Sequence, residues 1–252
     1  MADRHQLLAT LDELLQPDRF RDHGPNGLQV EGALQLRHIV TGVTASLALI
    51  EAAVQAGADT VLVHHGLFWR GQDGRVTGWM RQRLAMLLAH NINLLAYHLP
   101  LDAHPRWGNN AQLGQLLGLL ADARFGEQDL GFLGARADGA VFDDAHALGA
   151  VIAGALGRPV TVVATARRPL RRIAWCTGGA QSYFEAAIQA GADAFITGEI
   201  SEPQAHYARE CGVAYVACGH HASERYGVAA LGGHVAATLS LAHTFVDIDN
   251  PA

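Results

Sequence analysis

The run Glu51-Ala52-Ala53-Val54-Gln55-Ala56-Gly57-Ala58-Asp59 returns 134 residues later as Glu185-Ala186-Ala187-Ile188-Gln189-Ala190-Gly191-Ala192-Asp193. One position differs, Val54 against Ile188. An Ala-rich helix can arise twice by chance, but the same Gly-Ala-Asp exit into a strand is a stronger coincidence. Gly57 and Gly191 suit the left-handed residue that closes a helix. Strands are expected to follow at Thr60–Val63 and Ala194–Thr197, and to precede at Arg37–Val43 and Arg171–Thr177. A helix and a strand follow each copy, Trp79–Ala89 with Asn93–Tyr97 and Glu202–Cys211 with Ala214–Cys218. An amphipathic helix and a short strand lead each block, Arg4–Leu15 with Leu28–Glu31 and Asp144–Leu156 with Val160–Val163.

Strands that alternate with helices of about ten residues predict helix-covered, largely parallel sheets. The expected fold is therefore α/β, a duplication of an α-β-(βα)3 unit with largely parallel sheets. The repeats are placed at residues 1–124 and 125–252. The boundary falls within Leu120–Asp143, where Gly131–Arg136 can add a strand. The final strand-like run, Thr244–Ile248, can return to either half.

Composition narrows the function classes. Of 252 residues half are hydrophobic and 17% are charged, which describes a packed globular chain. A net charge of −6, with no basic stretch interleaved with aromatics, argues against nucleic-acid binding. Cys176, Cys211 and Cys218 form no C-x-x-C pair, which disfavours a zinc ribbon or a disulfide framework. No signal-like start or membrane-length apolar run is present, so a cytoplasmic location is expected.

Chemistry concentrates at strand ends. His98-Leu99-Pro100-Leu101-Asp102 reads His-x3-Asp, and His220-His221-Ala222-Ser223-Glu224 reads His-x3-Glu; each follows the last apolar strand of its repeat. The pair His64-His65 ends a third strand. Imidazole with carboxylate is a donor set for Zn, Mn, Fe or Ni. A helix starting at His220 puts Glu224 on the same face, whereas Pro100 permits a helix only if it lies in the first turn. His64 and His65 are expected to turn toward one crevice at the strand end, beside Gly66. Six residues, His64, His65, His98, Asp102, His220 and Glu224, suffice for two divalent ions roughly 3.5–4 Å apart.

A single histidine after a strand is more often an ordinary hydrogen-bonded residue; it is the repeat-related pairing that favours metal. His104, His206 and His221 are candidates for orienting a ligand or touching substrate. Glu199, which the repeat sets opposite His65, is a candidate acid/base, with a helix N-terminal charge as the alternative. The glycines at Gly24–Gly27 and Gly178-Gly179 read as turns.

These motifs, with Asn26-Gly27-Leu28-Gln29-Val30, Gly108-Asn109-Asn110 and Thr197-Gly198-Glu199, resemble the dinuclear metal centre protein family. Its members are often labelled GTP cyclohydrolase 1 type 2 homologues. The resemblance spans almost the whole chain, in the short bacterial form. It implies two intertwined domains with mixed, largely parallel sheets, a two-metal site held by the same six residues, and a toroidal homohexamer. The leading expectation is a metal-dependent hydrolase acting on a small molecule, possibly a nucleotide such as GTP, with Arg70, Arg106 and Arg225 as candidate phosphate contacts. The alternative is a non-catalytic metal-binding or partner-binding protein.

Overall fold

The computed structural model describes residues 2–164 and 167–252. Met1, where the first expected repeat begins, lies outside them. Along the chain run α1 (Arg4–Leu15), β1 (Gly27–Val30), β2 (His38–Thr44), α2 (Leu47–Gln55), β3 (Thr60–His65), α3 (Gly78–Ala89), β4 (Asn93–Ala96), α4 (Leu99–Ala103) and α5 (Asn109–Leu116). They are followed by β5 (Leu119–Phe125), β6 (Gly131–Arg136), α6 (Ala145–Leu156), β7 (Thr161–Val163), β8 (Ile173–Trp175) and α7 (Phe184–Gln189). The last are β9 (Ala194–Thr197), α8 (Glu202–Cys211), β10 (Ala214–Ala217), α9 (His220–Leu239) and β11 (Ala242–Phe245).

The chain divides into two compact units, Met1–Gly108 with Gly227–Asp249, and Asn109–Tyr226 with Asn250–Ala252. These units are not coextensive with the expected repeats at 1–124 and 125–252. Residues 109–124 leave the first half because β5 pairs with β6 in the second unit. The closing strand goes the other way: β11 pairs in parallel with β2 in the first. It begins and ends earlier than the expected Thr244–Ile248.

The first unit is a five-stranded sheet, β1-β4-β3-β2-β11, antiparallel only at β1–β4. Its central strands are buried almost end to end, as strands covered on both faces must be. Val61 and Val63 face Leu49 and Ile50 of α2 and Leu87 of α3. Leu62 and Leu95 face Leu7 and Leu11 of α1, and Val228, Leu231 and Val235 of α9. Alternate residues thus feed two helical layers. α1 starts at a reciprocal cap between Asp3 and Gln6, and its Leu7, Leu11 and Leu15 form one buried stripe.

The second unit has the order β5-β6-β8-β9-β10-β7, with parallel pairing along β8-β9-β10 and antiparallel pairing elsewhere. Ile173, Trp175, Ile196 and Val216 pack on Leu148, Ile152 and Leu156 of α6. On the other face Phe184, Phe195 and Tyr215 form an aromatic cluster. The four strands β7-β10-β9-β8 repeat the order and sense of β1-β4-β3-β2, which is the duplication in three dimensions.

The repeated Gly-Ala-Asp has a physical purpose in both copies. The N–H groups of Arg37 and His38 donate to the Asp59 carboxylate at 2.7 and 3.4 Å. Those of Arg171 and Arg172 donate to Asp193 at 2.8 and 2.9 Å. Each aspartate clasps the entry of the preceding strand. Asp59→Ala and Asp193→Ala should each cost about 1–3 kcal/mol in denaturant titrations, because strand-entry donors lose their acceptor. Burial makes Asp59 the costlier site.

Candidate metal centre

In the first unit β3 runs two residues beyond the expected Thr60–Val63, so both His64 and His65 lie within the strand. Thr44 pairs with His65 and keeps the ladder going. The two rings do not diverge, with centroids 4.5 Å apart. His98, immediately after β4, is the N-cap of α4, a single turn with Pro100 in its first positions, where a missing N–H costs nothing. Donor atoms of His64, His65 and His98 lie within 4.8 Å of one another. Asp102, buried in α4, brings a carboxylate oxygen to 3.6 Å from Nε2 of His64.

The loop before β1 holds His98 in place. Nδ1 of His98 bonds Asp22 Oδ1 at 2.6 Å, and the N–H of Leu99 donates to Oδ2 at 2.9 Å. The His23 N–H and the Asn26 amide donate to the same carboxylate, while Asn26 Oδ1 accepts from the His98 N–H. Burial pushes the Asp22 pKa up, but the hydrogen bonds and charge of His98, with Asn26 and the His23 N–H, outweigh it and hold it at about 2. Nothing in the sequence around Asp22 marks this role, because its partners lie 76 and 77 residues away.

In the second unit three strand-end loops stack through their backbones. The Gly198 N–H donates to Gly178 O and the Gly219 N–H to Gly198 O, both at 2.9 Å. α9 begins directly after, at His220, and carries Glu224 one turn on. His220 Nε2 is 3.3 Å from Glu224 Oε2. Gly178 is more than a turn residue. Its φ is +71°, and a Cβ there would meet Glu224 Oε1 at 2.1 Å. Glu199 receives Nδ1 of His220 at 2.7 Å, so the structure gives this candidate acid/base a positioning contact. Burial alone lowers the His220 pKa, but Glu224 and then Glu199 draw it up to about 9.

One regularity runs through both units. Nδ1 of His64 is bonded to Tyr97 O at 3.1 Å, that of His65 to Thr44 Oγ1 at 3.1 Å, that of His98 to Asp22 and that of His220 to Glu199. All four rings therefore present Nε2 as the atom for a ligand. Imidazoles anchored through one nitrogen by an oxygen, with carboxylates alongside, are the usual environment of a transition-metal site. Buried His, Asp and Glu groups of this kind can hold a metal ion.

The model of a family described as Duf34/NIF3 (NGG1p interacting factor 3) matches residues 2–251. The chain belongs to the Duf34/NIF3 family. A relative from Neisseria meningitidis serogroup A, named GTP cyclohydrolase 1 type 2 homolog, is 48% identical over 252 residues, covering 100% of both chains. A relative of the same name from Pseudomonas aeruginosa is 49% identical over 249 residues, 98% of this chain and 97% of its own. A solved structure titled as protein ybgI, unknown function, matches with a TM-score of 0.95 at 45% identity, over 99% of this chain and 100% of that one.

In this Duf34/NIF3 member the other candidates make contacts of their own. Nδ1 of His104 accepts from the Arg106 and Trp107 N–H groups and closes a turn. His206 pairs with Glu202 along the exposed side of α8. His221 is buried in the first turn of α9. Arg225 donates to Leu156 O at 3.0 Å, Arg70 donates to Asp22 O at 2.9 Å, and Arg106 lies over the Trp107 ring. No helix among the described residues is long and apolar enough to cross a membrane.

Proposed function

We propose that His64, His65, His98, Asp102, His220 and Glu224 together hold two divalent ions, and that the protein is a metal-dependent hydrolase acting on a nucleotide-like substrate. The observation that carries this reading is the anchoring of all four imidazoles through Nδ1, which makes Nε2 the coordinating atom of each ring. When bound, such ions would polarise a substrate oxygen or nitrogen and lower the pKa of water. The chain contributes the rest. Asp22 and Glu199 fix ring orientation and tautomer, Asp102 and Glu224 supply negative charge, and Glu199 is the candidate acid/base. The names of the relatives suggest GTP. In that case one water opens the imidazole ring at C8, and a second releases C8 as formate.

The test is metal analysis together with incubation with GTP and other nucleotides, followed for formate or a ring-opened product. Two ions per chain and turnover are expected, and His65→Ala and Glu224→Ala should lose both metal and product. Turnover that survives those substitutions overturns the reading. Metal that binds fully with no turnover on any nucleotide favours metal handling or partner binding instead. A cytoplasmic toroidal homohexamer belongs to the same reading, and light scattering should give six times the 26.8 kDa chain mass.

A further inference from the structure

We propose that a cavity beside α1 seats the base of the nucleotide-like substrate, with Asp12 reading the paired N–H donors of a guanine edge and Phe20 lying against the ring. The identity of the ligand rests on the nucleotide part of the reading above; the geometry of the subsite stands apart from it.

The cavity measures about 850 Å³ and is bordered by α1 and by the loop that leads to β1. Small-molecule sites commonly enclose roughly 300–1,000 Å³. Leu8 and Asp12 stand one turn apart on α1 and so share the side that faces it. Leu8 and Leu28 are backed by the core of the first unit and form an apolar wall. Phe20, half-buried, adds an aromatic ring that packs on no other ring among the described residues.

Asp12 is the group that selects among ligands. The Tyr97 hydroxyl donates to its Oδ1 at 2.6 Å, and no cationic side chain pairs with it among the described residues. An ionised carboxylate only accepts, at about four lone-pair sites, so Oδ2 and part of Oδ1 are left for a ligand that donates. Among the common nucleobases, guanine alone presents a ring N–H beside an amino group, two parallel donors spaced for one carboxylate. An alkylguanidinium carries the same pair of donors but leaves most of such a cavity unfilled. Asp22, whose Oδ1 binds Nδ1 of His98, is a further wall, so a base seated here lies beside a histidine of the proposed centre.

The experiment is calorimetric binding of guanosine, inosine, xanthosine and methylguanidine to the wild type, Asp12→Asn and Phe20→Ala. Inosine lacks the amino group and should bind the wild type about tenfold more weakly than guanosine, the worth of one hydrogen bond to a charged acceptor. In Asp12→Asn the new carbonyl still accepts from Tyr97, which turns the NH2 toward the cavity. Guanosine should then weaken about tenfold, and xanthosine, with a carbonyl in place of the amino group, should strengthen. Phe20→Ala should weaken guanosine and inosine alike by about tenfold, because stacking does not sense the amino group. A purely structural bond between Tyr97 and Asp12 predicts the same ratio of guanosine to inosine affinity in the wild type and Asp12→Asn. That result overturns the subsite, as does a wild type that binds no guanosine or binds methylguanidine in its place. Absence of turnover on GTP with the base discrimination intact overturns the hydrolase reading alone, because these titrations require no chemistry.

Discussion

Gly198→Ala is expected to lower the thermal midpoint by on the order of 10 °C and to weaken metal retention, while Gly179→Ala leaves both near wild type. The contrast lies in what each new methyl meets. At Gly198 a Cβ would sit 2.6 Å from His220 Cα, 2.7 Å from Gly178 O and 2.8 Å from His220 N. All three are backbone atoms of the stacked loops, and no side chain can rotate away to make room. The strand-end ladder must open, and the first residue of α9 moves with it. That displacement falls on His220 and on its 2.7 Å contact with Glu199. A cost of about 3 kcal/mol, the upper part of the overpacking range, is expected. At Gly179 the nearest atoms are the Glu199 carboxyl at 3.4–3.5 Å, ordinary contact with a group that can yield. Differential scanning calorimetry and metal analysis of the two variants decide the matter. Equal behaviour would show that the loop stacking does not hold His220.

Asp22→Asn should weaken metal binding about 10–100-fold, more than its effect on folding would suggest. Four donors converge on this carboxylate: His98 Nδ1, the Leu99 and His23 N–H groups and the Asn26 amide. An asparagine has one accepting end, so either orientation sets its NH2 against N–H donors. Where that NH2 meets Nδ1 of His98, the ring accepts there and carries its proton on Nε2, the atom needed for the ion. The fold loses about 1–3 kcal/mol for the unmatched donors. Acid titration supplies the signature. The folded pKa of Asp22 is depressed from the ordinary 3.8 to about 2. Its ionised form therefore adds stability above pH 4 that disappears as the pH falls toward 2, about 2 kcal/mol in all. The stability gap between wild type and variant should narrow over that interval. A gap independent of pH would rule out the carboxylate as its source.

Much of this architecture is legible in the chain itself. The duplicated Gly-Ala-Asp forecasts paired units, and the contacts of Asp59 and Asp193 explain why that tripeptide recurs at one register. The His-x3-carboxylate spacings correspond to helix starts, α4 with His98 as its N-cap and α9 at His220. Other parts were illegible for reasons that can be named. β5 is an edge strand whose two ends are buried and whose middle is open or half-open, with a bulge between Ala121 and Ala123, so it lacks an apolar signature. The long α9 contains Gly232 and Gly233, poor helix formers. Gly232 is there because the Thr41 methyl would lie 2.3 Å from its Cβ, a demand set by tertiary packing alone. Asp22 and Gly178 act on residues dozens of positions away, and no local pattern announces such a partnership.

The pairing of β11 with β2 has a consequence for how the chain is made. Ala242 aligns with His38, and the helix that covers the same face, α9, is the penultimate element. A ribosome releases residues 109–219 before α9 starts to leave the exit tunnel, and all of α9 before β11. Domains commonly fold in the order in which they emerge. Here the segment from α1 to α4 must wait, with one sheet edge and part of one helical layer missing, until β11 has been synthesised. The second unit can assemble most of its own core during that interval. In the order of synthesis, the first unit is the last to close.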